Sequence, residues 1–300
     1  MATIYTQVDS NVRRTWFLMF GFFIVVILLG WAFSWIFNSP VILFVAVFIS
    51  IFMNIISYWY SDRIVLKISG AKEVKREEYR ELWNITENLC IASGLPMPRL
   101  YIINDPAPNA FATGRNPKNA VVAVTTGLMN ILDRSELEGV IAHELSHIKN
   151  RDILLMTTVV VLVGFVTLLS DFFLRMTIFG GVGGNQDGRA RLLMIVLGLV
   201  LAILAPIVAV VLKMAISRRR EFLADADGAL MTRYADGLAN ALEKISNNPQ
   251  PLRRANHAMA HMYISNPFGG GKDGKMGFMN KLFLTHPPVE ERIKALRQVS

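Results

Sequence analysis

Polar and apolar positions are distributed unevenly along these 300 residues. Residues 16–37, 41–60, 153–170 and 192–212 carry no charged side chain, and each stretch approaches the roughly 20 residues a helix needs to cross ~30 Å of hydrocarbon. They predict membrane-spanning helices over about 16–37, 41–60, 153–174 and 192–215, arranged as two hairpins. The third is the least clean, because Asp171 and Arg175 interrupt it, although their i, i+4 spacing lets them pair near an interface. Pro206 kinks the fourth without excluding it, since neighbouring helices can satisfy the carbonyl it frees. The first stretch is too long for a signal-peptide core and lacks a small-x-small cleavage pattern before Asn38-Ser39-Pro40, so it is expected to persist as an anchor.

Shorter periodicities fill the remainder. Residues 77–92 read as an amphipathic helix through Leu82, Ile85 and Leu89, closed by Gly94 and Pro96, and residues 100–104 and 120–125 read as short strands. The strands flank Asn109-Ala110-Phe111-Ala112-Thr113-Gly114. Extended at a sheet edge, this segment pairs with a peptide backbone without reading its side chains; an ordinary loop around a buried Phe111 fits the spacing equally. Leu137, Val140, Ile141, Leu145 and Ile148 then form the apolar stripe of a helix, with Asp133/Glu136 and Ser135/Glu138 as overlapping capping boxes at its start. The expected fold is α+β and mostly helical: four membrane helices joined to a domain of helices and a small β-sheet. Its divisions are a hairpin at 1–60, a first domain part at 61–152, a second hairpin at 153–217 and a second domain part at 218–300.

A content of 53% hydrophobic and 18% charged residues excludes an ordinary soluble domain. Arg13 and Arg14 precede the first apolar stretch, Arg63, Lys67, Lys72, Lys75 and Arg76 follow the second, and Arg218-Arg219-Arg220 follows the fourth. These flanks outnumber Arg175, Arg189 and Arg191 on the opposite side, so both termini and the domain are expected in the cytoplasm. The formal charge of +8 has a local source: residues 218–300 hold 13 Lys and Arg against 8 Asp and Glu, whereas residues 61–152 hold 12 of each. A basic surplus where the chain leaves the bilayer suits anionic lipid, and no nucleic-acid-binding motif accompanies it. Cys90 is the one cysteine, which excludes an internal disulfide and a thiolate zinc cluster. Gly269 to Met276 nearly spells a phosphate loop, but Met276 stands where Ser or Thr would hold Mg²⁺ and Pro267 interrupts a preceding strand, so a flexible loop and no nucleotide are expected.

The candidate chemistry centres on His143-Glu144-Leu145-Ser146-His147. On a helix, positions i and i+4 share a face, so both imidazoles can reach one Zn²⁺ at roughly 2.0–2.1 Å, while Glu144 is better placed to take a proton from water. A catalytic zinc generally has a third protein ligand. A hairpin leaving the membrane surface after Asp152 and returning before Arg218 brings Glu221 back to the same side, and Asp225 follows one turn later. Glu221 is the expected third ligand, and Asp225 the acceptor that orients a ligand histidine through its other nitrogen. His257 and His261 repeat the i, i+4 spacing without an intervening acid and read as supporting or structural. His286, before Pro287-Pro288 and a helix with Glu290, Glu291 and Arg292, fits either a donor to a developing oxyanion or a non-catalytic histidine at a helix start.

The ordered set of motifs resembles the HtpX-type proteases, relatives of the CAAX prenyl proteases. It comprises His143 to His147 followed by Asn150-Arg151-Asp152, then Glu221-Phe222-Leu223-Ala224-Asp225, with Asn109-Ala110-Phe111-Ala112, His261 to Pro267 and Thr285-His286-Pro287-Pro288. The resemblance covers almost the whole chain. It implies a bacterial inner-membrane metalloendopeptidase of the gluzincin type with one zinc ion, a cytosol-facing site and a stress-response role in clearing misfolded or damaged membrane proteins. It maps zinc ligands onto His143, His147 and Glu221 and the base onto Glu144. Substrates are then membrane proteins or unfolded polypeptides, and the bilayer is the other partner. Two rivals remain: an intramembrane protease, opposed by the charges Glu136, Glu138, Lys149, Arg151 and Asp152 around the motif, and a non-catalytic zinc-containing scaffold or holdase, for which Glu144 has no evident use.

Overall fold

The computed structural model describes residues 4–36, 38–179, 196, 218–269 and 287–299. Helices α1 (Ile4–Ile36) and α2 (Pro40–Trp59) form the N-terminal hairpin, and both are long and apolar enough to cross a membrane. Their apolar side chains face outward, among them Trp16, Phe17, Phe20, Trp31, Phe44 and Phe48, as a lipid-facing surface requires. Helix α1 begins well before its uncharged stretch, and there Asn11 and Thr15 are buried against the rest of the protein.

A short helix α3 (Ser61–Ser69) leads into a four-stranded sheet of order β1-β2-β4-β3, built from β1 (Lys72–Glu73), β2 (Arg99–Ile103), β3 (Ala110–Gly114) and β4 (Ala120–Thr125). Strands β2 and β4 run parallel, and β3 returns antiparallel to β4 as an edge. Helix α4 occupies Arg80–Ser93 rather than 77–92: Glu78 and Tyr79 N–H groups both bond the Lys75 carbonyl, and this turn delays the start. Its end is as expected, with Gly94 left-handed at φ 68°.

Alternation along the strands separates two cores. Leu100, Ile102, Ala110, Ala112, Val122 and Val124 point to one side, where α4, the short α5 (Thr126–Ile131), α6 (Arg134–Lys149) and α9 (Ala235–Asn247) pack. Tyr101, Ile103, Phe111, Val121 and Ala123 point to the other, against α3 and the first turns of α7 (Asp152–Phe179). Residues 153–163 of α7 are all buried, so the apolar run there is accounted for first by protein packing. Farther along, Phe165 meets Phe22 of α1 edge-to-face at 6.4 Å. Most of the fourth expected span, 192–215, lies outside the described residues, as do His286 and residues 270–277 of the glycine-rich segment.

Helix α6 is the centre of the domain: Gly139 through Ile148 are all buried. Of the two capping boxes expected, the structure uses Asp133 with Glu136, whose side chains and backbone N–H groups bond reciprocally. Helix α8 (Arg218–Thr232) and α9 lie close along it because glycines face the contacts. A Cβ on Gly139 would sit 2.6 Å from the Leu238 nitrogen and 2.8 Å from its Cα, both backbone atoms that cannot rotate aside. Gly139→Ala is therefore expected to lower stability by about 1–3 kcal/mol, seen as an earlier thermal transition of the detergent-solubilised protein.

Candidate metal centre

Helix α6 ends at Lys149, Arg151 adopts a left-handed φ of 59°, and α7 departs at Asp152 after an 82° bend. The corner turns the Asp152 carboxylate back toward the helix it has just left. Its Oδ2 lies 3.0 Å from His147 Nδ1, while Asp225 Oδ1, from α8, lies 2.9 Å from His143 Nδ1. Both rings are buried, almost perpendicular at 88°, with their Nε2 atoms 3.2 Å apart. Glu221 completes the group: its carboxylate oxygens stand 3.9 Å from His143 Nε2 and 3.7 Å from His147 Nε2. Among the described residues, His143, His147 and Glu221 are the one cluster of ligand atoms close enough to hold a metal ion.

Two properties of the donor set favour a cation at this point. A neutral imidazole has one N–H, and a carboxylate beside Nδ1 claims it, so each Nε2 presents a lone pair. Two Nε2 atoms 3.2 Å apart beside a carboxylate need something positive between them, a cation or, in its place, a proton kept by one of them. The formal charges agree. With both imidazoles neutral and Glu144 ionised, buried Glu144, Asp152, Glu221 and Asp225 contribute four negative charges and buried Arg220 and Arg292 two positive ones, a deficit that a dication cancels.

The surrounding charges are ordered by direct contacts. Arg292, on α10 (Val289–Arg297) and fully buried, grips Asp225 with Nε at 2.8 Å and Nη2 at 2.7 Å, and its Nη1 is 3.8 Å from Glu221. Burial would raise the Asp225 carboxyl, but the Arg292 charge and its hydrogen bonds hold it down to about 2. Arg220 Nε lies 3.2 Å from Asp152 Oδ1. Glu144 is desolvated, which pushes its carboxyl up to about 7 against the charge of His147.

The expected substrate segment is extended and lies at an edge. Thr125 N–H bonds the Asn109 carbonyl, which sets the alternation: Asn109 and Phe111 face β4, whereas the backbone groups of Ala110 and Ala112 face outward. The edge is partly occupied, since Ile264 N–H bonds the Ala110 carbonyl and the Asn109 side chain exchanges hydrogen bonds with Ser265. The Phe111 side chain points away from the imidazoles, edge-to-face on Tyr263 at 5.3 Å. His261 is buried with Nε2 3.2 Å from the Met156 carbonyl, a structural contact.

Sequence reasoning passed over Asp152 and Arg292 as parts of the site. Asp152 left no local signal, because five residues beyond His147 it would lie off the ligand face had the helix continued. Arg292 did: with Val289, Ile293 and Leu296 it falls within the apolar stripe of α10, an unusual position for a guanidinium.

The Peptidase family M48 profile matches residues 76–300. A protein described as "Protease HtpX homolog" from Caldanaerobacter subterraneus subsp. tengcongensis is 46% identical, with 99% of this chain and 98% of that protein covered. One of the same description from Thermococcus kodakarensis is 48% identical over 89% of this chain and 90% of its own. The crystal structure of S. mikatae Ste24p superposes with a TM-score of 0.50 at 16% identity, covering 97% of this chain and 67% of that one, a likeness of fold. The chain belongs to peptidase family M48 and is a metalloprotease.

Removing the carboxylate that aligns a ring is expected to weaken metal binding without abolishing it. Asp152→Ala is predicted to lose about 10–100-fold in affinity, measured by competition with a chelator. Glu136→Gln, a buried change at the far end of α6, should leave that affinity unaltered.

Proposed function

We propose that this M48 metalloprotease is a zinc endopeptidase of a bacterial inner membrane, working at the cytoplasmic face on unfolded or damaged membrane proteins. The observation that carries the reading is the convergence of three buried donor atoms beside a buried carboxylate of raised pKa. His143 and His147 would hold zinc through Nε2, and Glu221 through its carboxylate. Zinc, when bound, supplies a Lewis acid that polarises the scissile carbonyl and brings the pKa of water down toward ~7.

The residues of the chain do the remaining work. Asp225 and Asp152 fix the tautomer and tilt of the two rings, and Arg292 keeps Asp225 ionised in a buried setting. Glu144 accepts the proton of the attacking water and passes it to the leaving amine; a carboxyl near 7 suits both directions of transfer. Strand β3 would hold the substrate extended along its outer edge. Because Ile264 takes the Ala110 carbonyl, the next outward-facing backbone groups, those of Ala112, would be where pairing starts. Asn109 and Phe111 then act from behind, through Ser265 and Tyr263, as supports of that edge. The basic flanks of the apolar segments and the membrane-crossing character of α1 and α2 support the cytoplasmic orientation and the membrane substrates.

Glu144→Gln keeps the shape and loses the base. It should retain zinc at the wild-type stoichiometry while cleavage of an unfolded membrane-protein substrate falls by about 10²–10⁴-fold; undiminished cleavage would remove Glu144 from the mechanism.

Metal binding should also depend on pH. In the metal-free protein, burial lowers both imidazoles, but Asp152, Glu221 and Glu144 outweigh it at His147 and raise its pKa, whereas His143 stays depressed. Near neutrality the pair therefore keeps one Nε2 proton, which a cation must expel. The apparent zinc affinity is expected to climb as pH rises from 6 to 8, by about tenfold per unit where one proton is released. Calorimetry in buffers of different ionisation enthalpy counts that proton directly.

A further inference from the structure

The deepest support of the metal centre comes from the membrane anchor. The side-chain amide of Asn11, on α1, reaches two groups at once: its Nδ2 is 2.6 Å from Asp152 Oδ1 and 2.8 Å from the Asn150 carbonyl. Those residues are the corner between α6 and α7. Asp152 spends its other oxygen on His147 Nδ1, so a continuous line of hydrogen bonds runs from α1 through Asp152 to a ring that faces Glu221. The corner needs such a clamp. Arg151 is left-handed at φ 59°, a conformation that costs a non-glycine residue energy, and a second amide, Asn150 Nδ2, ties the corner to Asp227 of α8 at 2.9 Å.

Asn11 is 4% exposed, so its amide is withheld from water and committed to these two acceptors. Thr15, one turn later on the same face and 1% exposed, bonds only the Asn11 carbonyl within its own helix. The two residues thus separate a polar link into the site from simple burial of α1.

We propose that Asn11 is a positioning residue of the metal centre, acting through Asp152 at the α6–α7 corner so that the seat of the first membrane helix sets how firmly His147 is presented to the metal. The consequence is that α1 is more than an anchor. Asn11 stands on the same unbroken helix as residues 16–36, just over one turn before the uncharged stretch, so a slide or tilt of that helix is delivered at the corner. This inference rests on the reading of His143, His147 and Glu221 as metal ligands.

The test is a double-mutant cycle on the full chain in detergent, with zinc affinity read by chelator competition and the visible spectrum of the Co²⁺ form as a second readout of ligand geometry. Asn11→Ala should weaken zinc by about tenfold, in the range found for groups behind metal ligands, and shift the Co²⁺ bands. Thr15→Val should do neither. In an Asp152→Ala background, adding Asn11→Ala should change affinity by less than about twofold, because the path it acts through is already cut. Unchanged affinity in Asn11→Ala overturns the proposal, and so does a tenfold loss that persists without Asp152. If Asn11→Ala does not accumulate folded, Asn11→Ser, polar but too short to reach the corner, is expected to give the same loss and is judged by the same outcomes. His147→Ala separates the two layers of argument: zinc retained at wild-type affinity in that variant overturns the ligand assignment itself, and the role of Asn11 with it.

Discussion

Two imidazole nitrogens held 3.2 Å apart and turned toward one buried carboxylate are the constraint on which the rest of the domain depends. The arrangement concentrates negative potential among side chains that are almost wholly buried. Left alone it would be costly, since buried like charges oppose folding. The protein offsets part of that cost with Arg292 and Arg220, each set against a carboxylate that itself aligns a ring. What remains unbalanced corresponds to a divalent cation, so the centre is built as a complement to something it must acquire.

Holding such a group rigid explains the architecture around it. Helix α6 is buried on every side because the sheet, α4, α8 and α9 each press on it, and glycines at the contacts let backbones rather than side chains meet. The sheet does two things. Its alternating faces separate the core under α6 from the core over α7, and its edge strand turns the backbone groups of Ala112 outward. The same short strand thereby closes both cores and offers an edge along which a peptide backbone could lie.

Apolar segments serve two purposes in this chain, and hydropathy does not tell them apart. Helices α1 and α2 expose large aromatic and aliphatic side chains, as lipid contact demands, whereas the opening turns of α7 hide theirs beneath the sheet. A run without charges is compatible with either environment. Only the neighbours decide, and for α7 those neighbours are β3, α3 and α1.

Several features were legible from spacing because they are local. The i, i+4 histidines share a helical face, Asp133 and Glu136 close a capping box, Gly94 ends α4, and the alternation of residues 120–125 marks a strand, each governed by neighbours within about one turn or one strand. Glu221 and Asp225 were expected from a second hairpin over 153–217, most of whose returning half lies outside the described residues; what the structure shows is their meeting with His143 and His147. Asp152, Arg292, Asn11 and the outward face of β3 were not legible in that way. Asp152 acts through an 82° corner, Arg292 through a docking some 67 residues from Asp225, and Asn11 across 141 residues to Asp152. Periodicity reports which residues share a face of one element; it carries no information on which elements meet, because that is set by packing and charge pairing among parts of the chain that are remote in sequence. The amino-acid order therefore determined which groups were available for the chemistry, and the tertiary structure decided which of them are held against one another.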